Sequence, residues 1–252
     1  LAGQMDTVEA LRRGVKVYEQ FGQELYGYPI NKQDHPRERN HAKVAMLQLQ
    51  YQAGAGSFQT QARVMAGVIL TAEEAEYTVS LYRTKFAQIK KMWYRCQRLI
   101  TDIYNGNETY IDQWGLCRTG KNKIILPNGL EILYTGLHQQ EGEYGSEWVY
   151  FDKETRREKR LYGGVVFENM CQALGRLIVF EQSVKIESRY GGHRDTGVAL
   201  TVHDEQGTVV QEHLADQCLK YSLDVMSTPP KWWPDLPLTA EGEVAQRYGA
   251  AK

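Results

Sequence analysis

Four residues spaced one helical turn apart carry the first chemical possibility in this sequence. They are Arg39, Lys43, Leu47 and Tyr51, within Arg39-Asn40-His41-Ala42-Lys43-Val44-Ala45-Met46-Leu47-Gln48-Leu49-Gln50-Tyr51. The stretch contains no glycine or proline, and at about 3.6 residues per turn the four form one slowly drifting stripe. The stripe passes from two cations to an apolar group to an aromatic ring. It could hold the phosphates of a nucleotide at its charged end and cover the base at the other. An ordinary amphipathic helix with a solvated charged end would read the same way, so the stripe alone does not choose. A second possibility lies in Val202-His203-Asp204-Glu205, an acidic pair between two apolar runs. Asp and Glu favour such hairpin tips for purely local reasons, so this pair does not choose by itself either.

The elements that must position these groups follow from the pattern of apolar residues. Asp6-Thr7-Val8-Glu9 has the form of a capping box, followed by Val8, Leu11, Val15, Tyr18, Phe21 and Leu25 at helical spacing, with Gly14 able to divide the helix. The stripe helix is expected from Pro36, a first-turn proline, to Gly54-Ala55-Gly56. Ser57 then caps a short helix towards Met65. Thr71-Ala72-Glu73-Glu74 is a further capping box, opening one long helical pattern through Tyr77, Leu81, Phe86, Ile89, Trp93, Cys96 and Ile100. The aromatics of this region read as core rather than as a base-stacking platform.

Beyond residue 101 the composition turns to strands. Pro127-Asn128-Gly129 between two apolar runs predicts a hairpin, and Trp148-Val149-Tyr150-Phe151 predicts a strand before a charged loop, Asp152 to Arg160. Gly163-Gly164 opens a helix to about Glu187, with Val166, Met170, Ala173, Leu177 and Val184 spaced for burial. Thr196 to Val202 and Gly207 to Gln211 predict two strands that place the acidic pair at their connecting tip. A helix over Leu214 to Met226 precedes a proline-rich, tryptophan-bearing tail.

At 252 residues, 42% hydrophobic and 24% charged, the chain can bury a sizeable core, and it has no apolar run long enough to cross a bilayer. A membrane role is therefore not expected. Cys96, Cys117, Cys171 and Cys218 are widely spaced with no Cys-x-x-Cys pair, which disfavours a zinc site and suits a reducing cytoplasm. The net charge of −1 conceals an asymmetry: residues 1–101 hold 14 Lys/Arg against 9 Asp/Glu, and residues 102–252 hold 16 against 22. A phosphate-bearing partner would be drawn to the first part.

Taken together, Arg39…Lys43…Leu47…Tyr51 resembles the fingers-helix motif of family A DNA polymerases, the DNA polymerase I type, and His203-Asp204-Glu205 resembles their last palm motif. The order matches, and the resemblance extends over essentially the whole chain. Leu1-Ala2-Gly3 through Tyr26-Gly27-Tyr28-Pro29 resembles the segment before the fingers helix. Leu161-Tyr162-Gly163-Gly164…Glu168-Asn169…Gln172-Ala173 resembles the helix beside the primer-template minor groove. The tail with Leu236-Pro237-Leu238 and Arg247-Tyr248-Gly249 is most similar to phage-encoded members.

That resemblance implies an α+β fold: a helical fingers subdomain over 1–101, and over 102–252 the C-terminal part of a palm, with antiparallel β-hairpins packed on helices. It implies that Arg39 and Lys43 hold an incoming deoxynucleoside triphosphate, that Leu47 packs on its base and sugar, and that Tyr51 guards the template position. Gln172 and His203 would touch primer-template DNA. Asp204, with Glu205 as helper, would bind Mg2+ for phosphoryl transfer. Three positions depart from the usual pattern: Leu47 stands where many relatives have an aromatic residue, Gln52 where many have glycine, and Tyr18 where a phosphate-binding histidine is common.

The competing readings are a single-subunit RNA polymerase type of enzyme, which shares the Arg…Lys…Tyr helix but not Glu205, and a nucleic-acid-binding subunit without activity. The two-metal chemistry of the family needs a second aspartate, in an Asp-Tyr-Ser-like motif ahead of the fingers helix. Before Arg39 the only aspartates are Asp6 and Asp34, a helix start and a polar loop. The expectation is therefore that an N-terminal polymerase fragment or subunit supplies it.

Overall fold

The computed structural model describes residues 1–142, 145–192 and 195–250. The chain is α+β and divides into two compact units, Leu1–Met170 and Cys171–Lys252. The first unit begins with six helices: α1 (Met5–Arg12), α2 (Val17–Tyr26), α3 (Pro36–Leu49), α4 (Ala55–Ala66), α5 (Ala72–Lys85) and α6 (Ala87–Asn105). Two three-stranded antiparallel sheets follow: β1 (Arg118–Gly120), β2 (Lys123–Ile125) and β3 (Glu131–Leu133), then β4 (His138–Gly142), β5 (Gly145–Asp152) and β6 (Arg157–Leu161). The passage from helix to strand thus falls inside the first unit. Helix α7 (Gly163–Tyr190) runs from the first unit into the second, which adds the hairpin β7 (Gly197–Val202) and β8 (Glu205–Val209), helix α8 (Ala215–Met226) and the tail.

Local chemistry explains most of the helix ends, and several differ from expectation. Gly14, at φ +70°, separates α1 from α2. Asp6 is not an N-cap: α1 starts at Met5, and Asp6 accepts from the Gln4 side-chain amide and the Thr7 N–H. Ser57 lies inside α4, whose N-cap is Gly54. The Thr71 box is present in full, with Glu74 N–H donating to Thr71 Oγ1 and Thr71 N–H donating to Glu74 Oε2. The expected long helix is two, α5 and α6, which meet at Phe86 where ψ rises to 49°. No glycine or proline marks that break. Phe86 is instead drawn into an aromatic cluster with Phe21 and Tyr82, at ring separations of 5.8 and 4.6 Å.

His41 sits in the core of these helices, 3% exposed. Thr78 Oγ1 uses its one proton on the Glu74 carbonyl at 2.7 Å, so at 3.2 Å it accepts from His41 Nε2. Nδ1 then accepts from the Tyr26 hydroxyl at 2.8 Å, and the ring stacks on Phe58. The imidazole is neutral and fully occupied. Burial lowers its pKa to about 4, against the opposing pull of Glu74. The unfolded chain therefore binds an extra proton between the ordinary value near 6.5 and about pH 4. Stability is complete above pH 6.5 and falls as pH drops through that window. Urea unfolding of the 1–252 chain should lose about 2 kcal/mol between pH 7 and pH 5 through this group. A His41→Gln variant should show a correspondingly flatter pH dependence, and equal slopes would refute the assignment.

The hairpin at Asn128-Gly129 is present, with Gly129 at φ +86° and Ile124 opposite Ile132. The charged stretch Asp152 to Arg160 is not a loop. Its second half is β6, paired with β5 from Trp148–Leu161 to Asp152–Arg157, and tied by the ion pairs Lys159–Asp152 and Arg160–Glu147. Lys159 and Thr155 hold the Asp152 carboxyl down to about 2. The first strands and α7 are joined through Tyr134, a fully buried ring whose hydroxyl accepts from Asn169 Nδ2 at 3.3 Å. Ahead of β1, the buried Asp112 carboxylate accepts the N–H groups of Trp114, Leu116 and Cys117, shaping the loop that enters the sheet.

In the second unit, Ile186 and Tyr190 of α7 pack with Cys218 and Val225 of α8, flanked by Val198 and Val210 from the hairpin segment. Val184, expected to be buried, is 66% exposed, because the buried face of α7 at that turn is Gln182, Ser183 and Ile186. Trp232 of the tail donates its indole N–H to Glu181 at 2.9 Å.

Candidate nucleotide and catalytic sites

Helix α3 buries His41, Ala42, Val44, Ala45 and Leu49, which leaves the stripe of Arg39, Lys43 and Leu47 off its buried face. Arg39 is joined there by Tyr18 of α2, its guanidinium carbon 5.9 Å from the ring centre. Glu19 stands 3.8 Å from Arg39 Nε, too far for a hydrogen bond, and Nε has no acceptor among the described residues. A half-buried cation in that condition has donor capacity left over. Lys43 is exposed and has no ion pair among the described residues, and Leu47 is half-buried. Two cations, a phenol ring and an apolar group thus share one surface of α2 and α3. Such a surface can take a polyanion at its charged end and a flat apolar ring beyond it.

Tyr51 does not complete this stripe within the helix, which ends at Leu49. The chain turns at Tyr51-Gln52, and Gln52 adopts φ +65°, a conformation that favours glycine. A side chain is kept there because Gln52 Oε1 accepts the Gly164 N–H at 3.0 Å. The turn is held further by Tyr162, whose hydroxyl donates to Tyr51 O at 3.4 Å, and by Trp93, whose indole donates to Gln50 O at 2.9 Å. Gly163 N–H donates to Gln97 Oε1 at 2.9 Å. The start of α7 is therefore seated directly on the end of the stripe. In the sequence Gly163-Gly164 reads as a helix opening within the segment that resembles the family's minor-groove helix; the close approach to Trp93 and Tyr51 depends on the fold.

The acidic pair lies in the second unit. The connection between β7 and β8 is shorter than expected, a two-residue turn of His203 and Asp204, with Val202 paired to Glu205. His203 has φ +54°, the conformation that tight hairpin turns require at their first position. His203 and Asp204 are exposed, and the Asp204 carboxylate has no partner among the described residues. Glu205 begins β8 and accepts from the Tyr248 hydroxyl, which raises the pKa of that phenol. Gln172, also expected at a nucleic-acid surface, is an exposed residue of α7.

The chain tests differently against one Mg2+ and against two. A magnesium ion commonly takes one or two carboxylates and fills its remaining positions with water and substrate phosphates, a donor set that Asp204 fits as a single ligand. Among the described residues no group of three or more His, Cys, Asp or Glu side chains comes together, so these residues do not make a complete two-ion centre.

No family model matches the chain. Over 258 aligned residues it is 26% identical to the DNA polymerase of Bacillus phage SP02, an alignment that takes in 98% of this chain. The chain is similar to a phage DNA polymerase. The similarity runs through both compact units, and the chain spans 38% of the length of that polymerase. Among the described residues no helix is long and apolar enough to cross a membrane.

Proposed function

We propose that this chain is the fingers and C-terminal palm portion of a template-directed, family A DNA polymerase that adds deoxynucleotides to a primer during phage DNA replication in the host cytoplasm. The observation that carries this reading is the cationic surface of α2 and α3: Arg39 lies beside Tyr18, and among the described residues its Nε has no acceptor and Lys43, one turn along, no ion pair. In this reading Arg39 and Lys43 bind the triphosphate, Tyr18 supports Arg39, Leu47 packs on the base and sugar, and Tyr51 borders the template base. Gln172 and His203 contact primer-template DNA. Asp204 is a magnesium ligand, with Glu205 beside it held by Tyr248. Bound Mg2+ would supply neutralisation of phosphate charge and a better attacking oxygen.

The second catalytic carboxylate is assigned to an N-terminal polymerase fragment or subunit, because Asp6 and Asp34 are both engaged locally. Asp6 bonds Gln4 and Thr7, and Asp34 accepts from the Asn31 side chain in the loop ahead of α3. The 1–252 chain alone should therefore extend no primer. Mixing it with a polymerase fragment that carries a palm aspartate should restore magnesium-dependent extension. Robust extension by the chain alone, abolished by Asp204→Asn, would show that the second carboxylate lies within these residues.

A further inference from the structure

Between the start of α4 and the exposed sides of α5 and α6 runs an open groove of about 800 Å3, lined by none of the stripe residues. Ser80, Arg83, Thr84, Lys90, Lys91 and Tyr94 line it, with Glu76 as its one carboxylate. From Ala87 to Thr101, α6 carries Lys90, Lys91, Arg95 and Arg98 and no acidic residue. Neither Lys90 nor Lys91 has an ion pair among the described residues. Arg83 is anchored through one nitrogen to the Ala53 carbonyl at 3.1 Å, which fixes its position and leaves other donors for an anion.

Tyr94 sets the class of ligand. Its neighbours Met92, Trp93 and Cys96 face the core, whereas Tyr94 is 53% exposed between Lys90, Lys91 and Arg98. This aromatic is not core, contrary to the expectation for the region. Cations that follow a backbone, interleaved with an exposed ring, are what unpaired nucleic acid requires, since each base has a face to stack. A duplex offers phosphates but no free base face. The groove is also too open to enclose a small molecule.

We infer that the α5–α6 groove binds a single-stranded nucleic acid, with Lys90 and Lys91 on successive phosphates and a base stacked on Tyr94. The choice of nucleic acid as the polyanion rests on the polymerase reading; the groove itself is independent of the nucleotide and magnesium sites.

The test is fluorescence anisotropy of the 1–252 chain with a labelled oligothymidylate and with a duplex of equal length, at several salt concentrations. Lys90→Ala/Lys91→Ala should weaken single-strand binding roughly tenfold at low salt and reduce the salt slope by about 1.4, two contacts at about 0.7 each. Tyr94→Ala should weaken single-strand binding at least about fivefold and leave duplex binding unchanged, while Tyr94→Phe should bind as wild type. All three side chains face solvent at least in part, and circular dichroism melting checks that the variants fold. Affinities equal to wild type would place the strand elsewhere and overturn the groove. Equal losses for duplex and single strand, or displacement by polyglutamate with no effect of Tyr94→Ala, would make it a general anion surface and overturn the inference. None of these outcomes bears on the polymerase reading, which primer extension judges separately.

Discussion

Asp204→Asn should remove nucleotide addition from the assembled polymerase while leaving folding and DNA binding intact. The residue lies at the second position of a two-residue turn, exposed and without a partner among the described residues, which make no use of its charge. An exposed Asp→Asn change away from caps and networks costs within about 0.5 kcal/mol of stability. A metal-bound carboxylate contributes on the order of several kcal/mol to the transition state, and each 1.36 kcal/mol is about tenfold in rate. Single-turnover extension should fall at least about a hundredfold. Glu205→Gln should do less, because Glu205 is occupied by Tyr248 and its backbone is paired in the sheet. Near-normal extension by Asp204→Asn would refute the assignment.

Gly163→Ala should be among the most destabilising single substitutions in the chain. A Cβ at this position would lie 1.9 Å from Trp93 O and 2.9 Å from Gln97 N, both backbone atoms that cannot rotate away. Either α7 lifts from α6 or α6 bends, and the hydrogen bond from Gly163 N–H to Gln97 is lost with it. Overpacking against backbone belongs at the upper end of its usual range, about 3 kcal/mol, or roughly 6–12 °C in Tm for a chain of this size. Gly175→Ala in the same helix is the matched comparison. Nothing lies within 4 Å of its Cβ position, so it should be neutral or gain up to about 1 kcal/mol from helix propensity. Equal thermal stability of the two variants would show that α7 is not seated as described. The same seat supports the Tyr51-Gln52 turn, so Gly163→Ala should also disturb nucleotide use.

What could be read in the sequence was whatever has a local cause. The Thr71 box, the Asn128-Gly129 hairpin and the Arg39–Lys43–Leu47 part of the α3 stripe each depend on residues a few positions apart, and each is present. The α+β class, which the resemblance implies, is observed. What was missed depends on distant partners. Phe86 breaks a helix without glycine or proline because an aromatic cluster holds it, and Tyr51 leaves α3 because Gln52 is bonded by Gly164, far along the chain. Strands β4 and β6 are exposed along most of their length, so they lack the alternation of apolar and polar residues that marks a half-buried strand. At the candidate site, the types and spacing of Arg39, Lys43 and Asp204 were legible. The pairing of Tyr18 with Arg39 and of Tyr248 with Glu205 was not, since each joins separate elements.

The central claim is that the cationic surface of α2 and α3 is the nucleotide site. Its most direct test is nucleotide titration of single-turnover extension at saturating primer-template DNA, with the assembled polymerase carrying Arg39→Ala or Lys43→Ala. Each substitution removes a charge-assisted contact worth about 1.5–3 kcal/mol, so the apparent nucleotide Kd should rise by about 10- to 150-fold while DNA affinity stays unchanged. A loss confined to DNA affinity, with nucleotide Kd as in the wild type, would contradict the claim and make the stripe a duplex-contacting face.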